Sequence, residues 1–188
     1  MIKKYNDFVK EKYNVTQNDS TEVASDKSYF NKSESDIKEF LTKKTTIDNI
    51  YKTYTDEKDL IKKLAAQKFI PVNTSDKKKI KFTNPLIGLY ALSAEKSREL
   101  RSLESELGTQ TDTLSQRQSA IGTNPDATDS LQNDVAYTQG KISDINSRIA
   151  KLKNEIVTLE RNTRDKLKQM KDGLANNKKK LDYFIKTK

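Results

Sequence analysis

Two stretches of the chain repeat apolar residues at alternating steps of three and four. The stronger runs from Leu131 through Val135, Thr138, Ile142, Ile145, Ile149, Leu152, Ile156 and Leu159 to Thr163. Eight of these ten positions are aliphatic, so the spacing is a heptad seam rather than chance. Leu167, Met170, Leu174, Leu181 and Phe184 continue it, after a four-plus-four step across Thr163 that relaxes the supercoil. The second stretch reads Leu86, Leu89, Ser93, Lys96, Leu100, Leu103, Leu107, Gln110, Leu114, Arg117, Ile121. Its register is strict, but four of its eleven positions are polar.

Between the two seams, residues 122–130 carry turn chemistry. Gly122 can end a helix in the left-handed conformation, and Pro125 cannot continue one. Asp129 or Ser130 can accept a bond from the free N–H groups of the helix that follows. So short a connection makes the two helices antiparallel neighbours. Pairing Ile121 with Leu131 then sets Leu107 beside Ile145 and Leu100 beside Leu152. The predicted rod is on the order of 50 Å long at ~1.5 Å per residue. In this register Ser93, Lys96, Gln110 and Arg117 face Leu159, Ile156, Ile142 and Val135. The second helix is thus more apolar than its partner. The pattern predicts that its seam (Leu131, Val135, Ile142, Ile145, Ile149, Leu152, Ile156, Leu159) is completed by a helix of another chain, although the stems of Lys96 and Arg117 could cover some of it.

The N-terminal part has weaker patterns. Ile2, Tyr5, Phe8, Val9 and Tyr13 share one face of a short helix over 2–14. Residues 15–34 are rich in Ser, Thr, Asn and Asp without a period and read on their own as loop or disorder, with packing of Tyr29-Phe30 as a route to order. Ser33 or Ser35 would cap a helix bearing Ile37, Phe40, Leu41, Ile47, Ile50, Tyr51 and Tyr54, bent at Thr45-Thr46. Thr55, Asp56 and Glu57 open another, carrying Leu60, Ile61, Leu64 and Phe69 up to Pro71. Alternation over 69–83 suggests a short β-hairpin or an extended linker. Thirteen of the fourteen Phe and Tyr residues lie at or before Tyr90 or at Tyr183-Phe184, and Tyr137 alone is on the rod. Aromatics fill thick cores. The predicted fold is therefore all-α: a helical base over 1–83 and an antiparallel coiled-coil hairpin over 84–188, its ends (84–95 and 165–188) packed into the base.

Composition agrees with long helices of narrow apolar stripe: 33% hydrophobic, 34% charged, five Gly and three Pro in 188 residues. Cys, His and Trp are absent, which removes disulfides, the usual zinc sites and histidine catalysis. Glu95, Glu99, Glu104 and Glu106 sit among Arg98 and Arg101 and read as a solvated helix face. No enzyme, cofactor, metal or small-molecule substrate is expected. The longest apolar run, about 86–92, is far short of a membrane span, and the N-terminus lacks the apolar core of a secretory signal. The expectation is a soluble protein with no membrane partner.

Net charge is +9 and uneven. Residues 81–130 carry 5 basic and 7 acidic groups, whereas 161–188 carry 10 and 3. The end of the rod away from the turn is basic. Arg161, Arg164, Lys166, Lys168, Lys171, Lys178, Lys179 and Lys180 are its candidate contacts with phosphate or with an acidic protein surface. With no catalytic chemistry, the expected role is structural: a spacer, clamp or scaffold with other subunits, homo- or hetero-oligomeric, in a multi-subunit particle. The Lys-, Asn-, Ile- and Thr-rich composition of an AT-rich genome points to a bacteriophage virion, assembled in the host cytoplasm. The alternative is a basic protein associated or packaged with nucleic acid.

Overall fold

The computed structural model describes residues 19–76, 80–121, 123 and 128–186. Among them are four helices and no strand: α1 (Asp19–Thr53), α2 (Glu57–Ala66), α3 (Pro85–Ile121) and α4 (Thr128–Lys186). The all-α expectation and the helical hairpin are both found. The helix expected over 2–14 lies outside the described residues, as do Gly122 and Pro125 of the turn.

The chain divides into two compact units, Met1–Leu41 with Lys166–Lys188, and Thr42–Asp165. In the first, α1 brings Tyr29 and Ser33 around a cavity of about 160 Å³ lined by Lys166, Gln169, Met170, Gly173, Leu174 and Asn177 of α4. Ser33, Ile37 and Phe40 are buried at four- and three-residue steps. This packing corrects the loop expected over 15–34, which is helical from Asp19 onward. Ser, Asn and Asp disfavour helix interiors only weakly, by a few tenths of a kcal/mol each, and tertiary contact overrides them. Ser33 and Ser35 accordingly lie inside α1 and cap nothing, and α1 runs on through Thr45-Thr46 to Thr53.

The second unit has a root and an arm. At the root, Asp56 caps α2 by accepting from the N–H groups of Lys58 (2.9 Å) and Asp59 (3.1 Å). The helix then buries Leu60, Ile61, Leu64 and Ala65. It stops at Gln67, well before Pro71. Lys68 takes a left-handed φ of 60°, its N–H donates to the Ala65 carbonyl, and the Phe69 N–H donates to that of Leu64. This is a Schellman motif, with Leu64 and Phe69 both fully buried around it.

The connection over 69–83 has no strand among its described residues (69–76 and 80–83), so the β-hairpin is not formed there. Its ends are joined by the Thr83 N–H to the Phe69 carbonyl (2.9 Å) and by the Thr83 hydroxyl to the carbonyls of Lys68 and Phe69. Pro71 lacks a donor for a ladder, and the alternation fails, since the neighbours Phe69 and Ile70 are both buried and Val72 is 87% exposed. Asn84 follows as a buried cap, accepting from the N–H groups of Leu86 (3.0 Å) and Ile87 (3.4 Å), with Pro85 at the first helical position. Phe82 lies over Gly88, where a Cβ would meet its Cβ at 3.2 Å.

Along the arm, α3 and α4 pack in the expected register. Leu103, Ile145, Ile149 and Leu152 form a buried cluster against which Leu100 and Leu107 pack. Every seam position of α3 and every one of α4 from Leu131 to Thr163 is buried or half-buried. α4 begins at Thr128, so Asp129 lies in its first turn rather than capping it.

Candidate functional site

Within the chain the α4 seam is buried at Ile145, Ile149 and Leu152 and half-buried at Leu131, Val135, Ile142, Ile156 and Leu159. Two polar positions of α3 reach across it. Lys96 reaches across to Glu155 (3.1 Å) and also to Glu99 (3.5 Å), and its pKa is raised, chiefly by the bond to Glu155. Arg117 donates to the Asp134 carbonyl (2.9 Å) and to the Thr138 hydroxyl. Thr138 and Thr163, the two non-aliphatic positions of the α4 seam, are buried and return their hydroxyls to the carbonyls four residues back, both at 2.8 Å. A long side chain with a polar tip can lie along an apolar groove while its charge stays partly wet.

Two of the acidic residues of α3 form ion pairs. Glu104 meets Lys153 across the arm (3.4 Å), and Glu99 meets Lys96. Among the described residues no group of three or more acidic residues could hold a metal, and every buried side-chain polar atom has a hydrogen-bond partner. At the root, Arg98 donates to the Tyr54 carbonyl at the end of α1 (3.2 Å), and Tyr90 donates to Asp48 (2.9 Å). Burial pushes the Tyr51 and Tyr90 phenols well above their ordinary value, with the bond to Asp48 adding to it at Tyr90.

The basic candidates fall into two groups. Arg161 and Arg164 belong to the second unit and are exposed. Lys166, Lys168, Lys171, Lys178, Lys179 and Lys180 belong to the first; Lys166 is half-buried and the others are exposed. The first unit also holds acids. Glu34 pairs with Lys38 (2.7 Å), and Lys38 foremost and Lys178 more weakly hold its carboxyl below the usual range. Asp36 is raised by partial burial. Lys178 therefore has a carboxylate of its own chain nearby.

One feature of α4 was missed by a reading that followed only apolar positions. Beside the seam, a shallow groove of about 500 Å³ is lined by Tyr137, Gly140, Lys141, Asp144, Ile145 and Arg148, with Glu106 from α3. Tyr137 is 62% exposed there, and Lys141 sits 4.6 Å from its ring centroid. A Cβ on Gly140 would touch nothing within 4 Å.

No family model matches the chain, and neither a curated protein nor a solved structure shows significant similarity to it. Among the described residues no helix is long and apolar enough to cross a membrane.

Proposed function

We propose that the protein is a non-enzymatic structural component of a multi-subunit particle, in which the α3–α4 arm acts as a spacer, clamp or scaffold. The observation that carries this reading is the apolar cluster that the two helices of the arm share. The arm uses its own apolar stripe to hold itself in shape and turns charged faces outward along a helix of 37 residues, about 55 Å at ~1.5 Å per residue. Such a rod holds partners at a set separation and needs no pocket. A bacteriophage virion is the particle we favour, from a Lys-, Asn-, Ile- and Thr-rich composition that suggests an AT-rich genome and from the absence of any catalytic motif, with His and Cys both missing.

Sedimentation of a native extract tests the reading. The chain is expected in a fast-sedimenting particle, and a variant with the distal arm (107–135) replaced by a short turn is expected to keep its folded root and leave that particle. A native chain recovered only at its own mass of 21.5 kDa would overturn it.

A second reading, association with nucleic acid, rests on the exposed lysines 168, 171, 179 and 180. It requires DNA binding that falls steeply with salt and is lost when Lys178, Lys179 and Lys180 become Glu. Unchanged affinity in that triple variant would remove it.

A further inference from the structure

On the groove side of α4 the residues Asp134, Tyr137, Lys141, Asp144, Arg148 and Lys151 follow one another at steps of three, four, three, four and three. They form a second stripe on the helix, beside the seam, and all six are exposed. The order of their charges has a property that a solvated face does not need. Laid antiparallel on a copy of itself about the midpoint of Lys141 and Asp144, the stripe pairs every residue with a complement. Lys141 meets Asp144, Tyr137 meets Arg148, and Asp134 meets Lys151, each twice. We propose that this face joins two copies of the chain in an isologous, antiparallel α4–α4 contact.

Three observations support the pairing. The first is its register. A slide of one heptad in one direction sets Asp134 on Asp144, and in the other sets Lys141 on Lys151. Parallel pairing in register sets every residue on its like. Like charges placed opposite one another across an interface cost several kcal/mol, so a single antiparallel register survives. The second is room. Gly140 leaves the groove open, and helices at the usual 8–10 Å separation need such a gap beside an aromatic. The third is Tyr137. It is the only aromatic between Tyr90 and Tyr183 and is mostly exposed. An arginine from the partner over its outer face gives the aromatic–cation anchor that interfaces favour.

The contacts these residues make within the chain are loose enough to exchange. Arg117 to Asp134 and Arg148 to Asp144 are each 3.9 Å, with the two aspartates 52% and 69% exposed. Exposed pairs of that length contribute about 0–1 kcal/mol. The pairing gives the assembly role a named partner, and it is tested on the purified chain alone. A monomer would remove the pairing and leave the particle, which is judged in the native extract, to stand or fall separately.

Sedimentation equilibrium at micromolar concentration is expected to show a species of twice 21.5 kDa that weakens as salt is raised. Lys141→Asp alone and Asp144→Lys alone are each expected to weaken association roughly tenfold or more, since each sets like charges opposite twice in the dimer. The double swap, Lys141→Asp with Asp144→Lys, restores complementarity and is expected to restore the dimer. Circular dichroism confirms that each variant is folded. A monomer at all concentrations overturns the proposal. So does a dimer that either single reversal leaves intact, or one that the double swap fails to rescue.

Discussion

The two ends of α3 are the same helix held by different physics. At its start, Leu86, Ile87 and Ala91 are wholly buried and Ser93 and Ala94 nearly so, because the helix is covered on several sides. Beyond Leu103 no residue of α3 is buried, and contact narrows to the half-buried stripe of Leu107, Gln110, Leu114, Arg117 and Ile121. Burial scales with area, so the root holds most of the stabilisation and the tip holds little. Stability should therefore fall along the arm, with the tip opening first. A spacer arm can tolerate this, since its shape depends on the root.

The largest break in that comparison is Phe69→Ala, which empties a fully buried site beside Leu64. Denaturant unfolding is expected to show a loss of about 3–5 kcal/mol, with root and arm lost together. Leu103→Ala acts in the arm's own cluster and is expected to cost about 2–3 kcal/mol, near the low end for such sites because the arm can close around the gap. Hydrogen exchange should speed up along the arm and leave residues 57–70 protected; equal loss at the root would erase the distinction.

Asn84→Ala removes the cap at which root and arm meet, and is expected to cost about 1–2 kcal/mol. Lys68→Gly should move the other way. It relieves a left-handed residue in the Schellman motif and is expected to raise stability by about 1 kcal/mol, as read by the denaturation midpoint. The smallest effect concerns pH. Tyr51 and Tyr90 have phenols raised in the folded state, so their contribution is complete below the unfolded phenol pKa of about 10 and is lost as pH climbs through the folded values. The root is expected to weaken in strong alkali, and Tyr51→Phe with Tyr90→Phe should flatten that slope.

The hairpin was legible because a heptad seam fixes helix type and partner face, and the short turn between the seams fixes the register. Pairing Ile121 with Leu131 was enough to anticipate Leu103, Ile145, Ile149 and Leu152 meeting in one cluster. Two things escaped. The helix from Asp19 depends on contacts with residues 166–177, distant in sequence and invisible to a local pattern. The alternation over 69–83 imitated strands, but one backbone bond from Thr83 to Phe69 closes it as a loop. The charged stripe from Asp134 to Lys151 has the same step as the seam, and could have been found by asking of charged residues what was asked of aliphatic ones.

Arg117 also sets the reach of the arm. Heptad seams alone permit slippage, since sliding one helix by seven residues, about 10 Å, again sets apolar on apolar. Slid toward the root, the guanidinium would leave Asp134 and Thr138 and lie against Ile142 instead. The bond across the helices thus acts as a detent on a telescoping joint, and the arm has one length rather than a ladder of them.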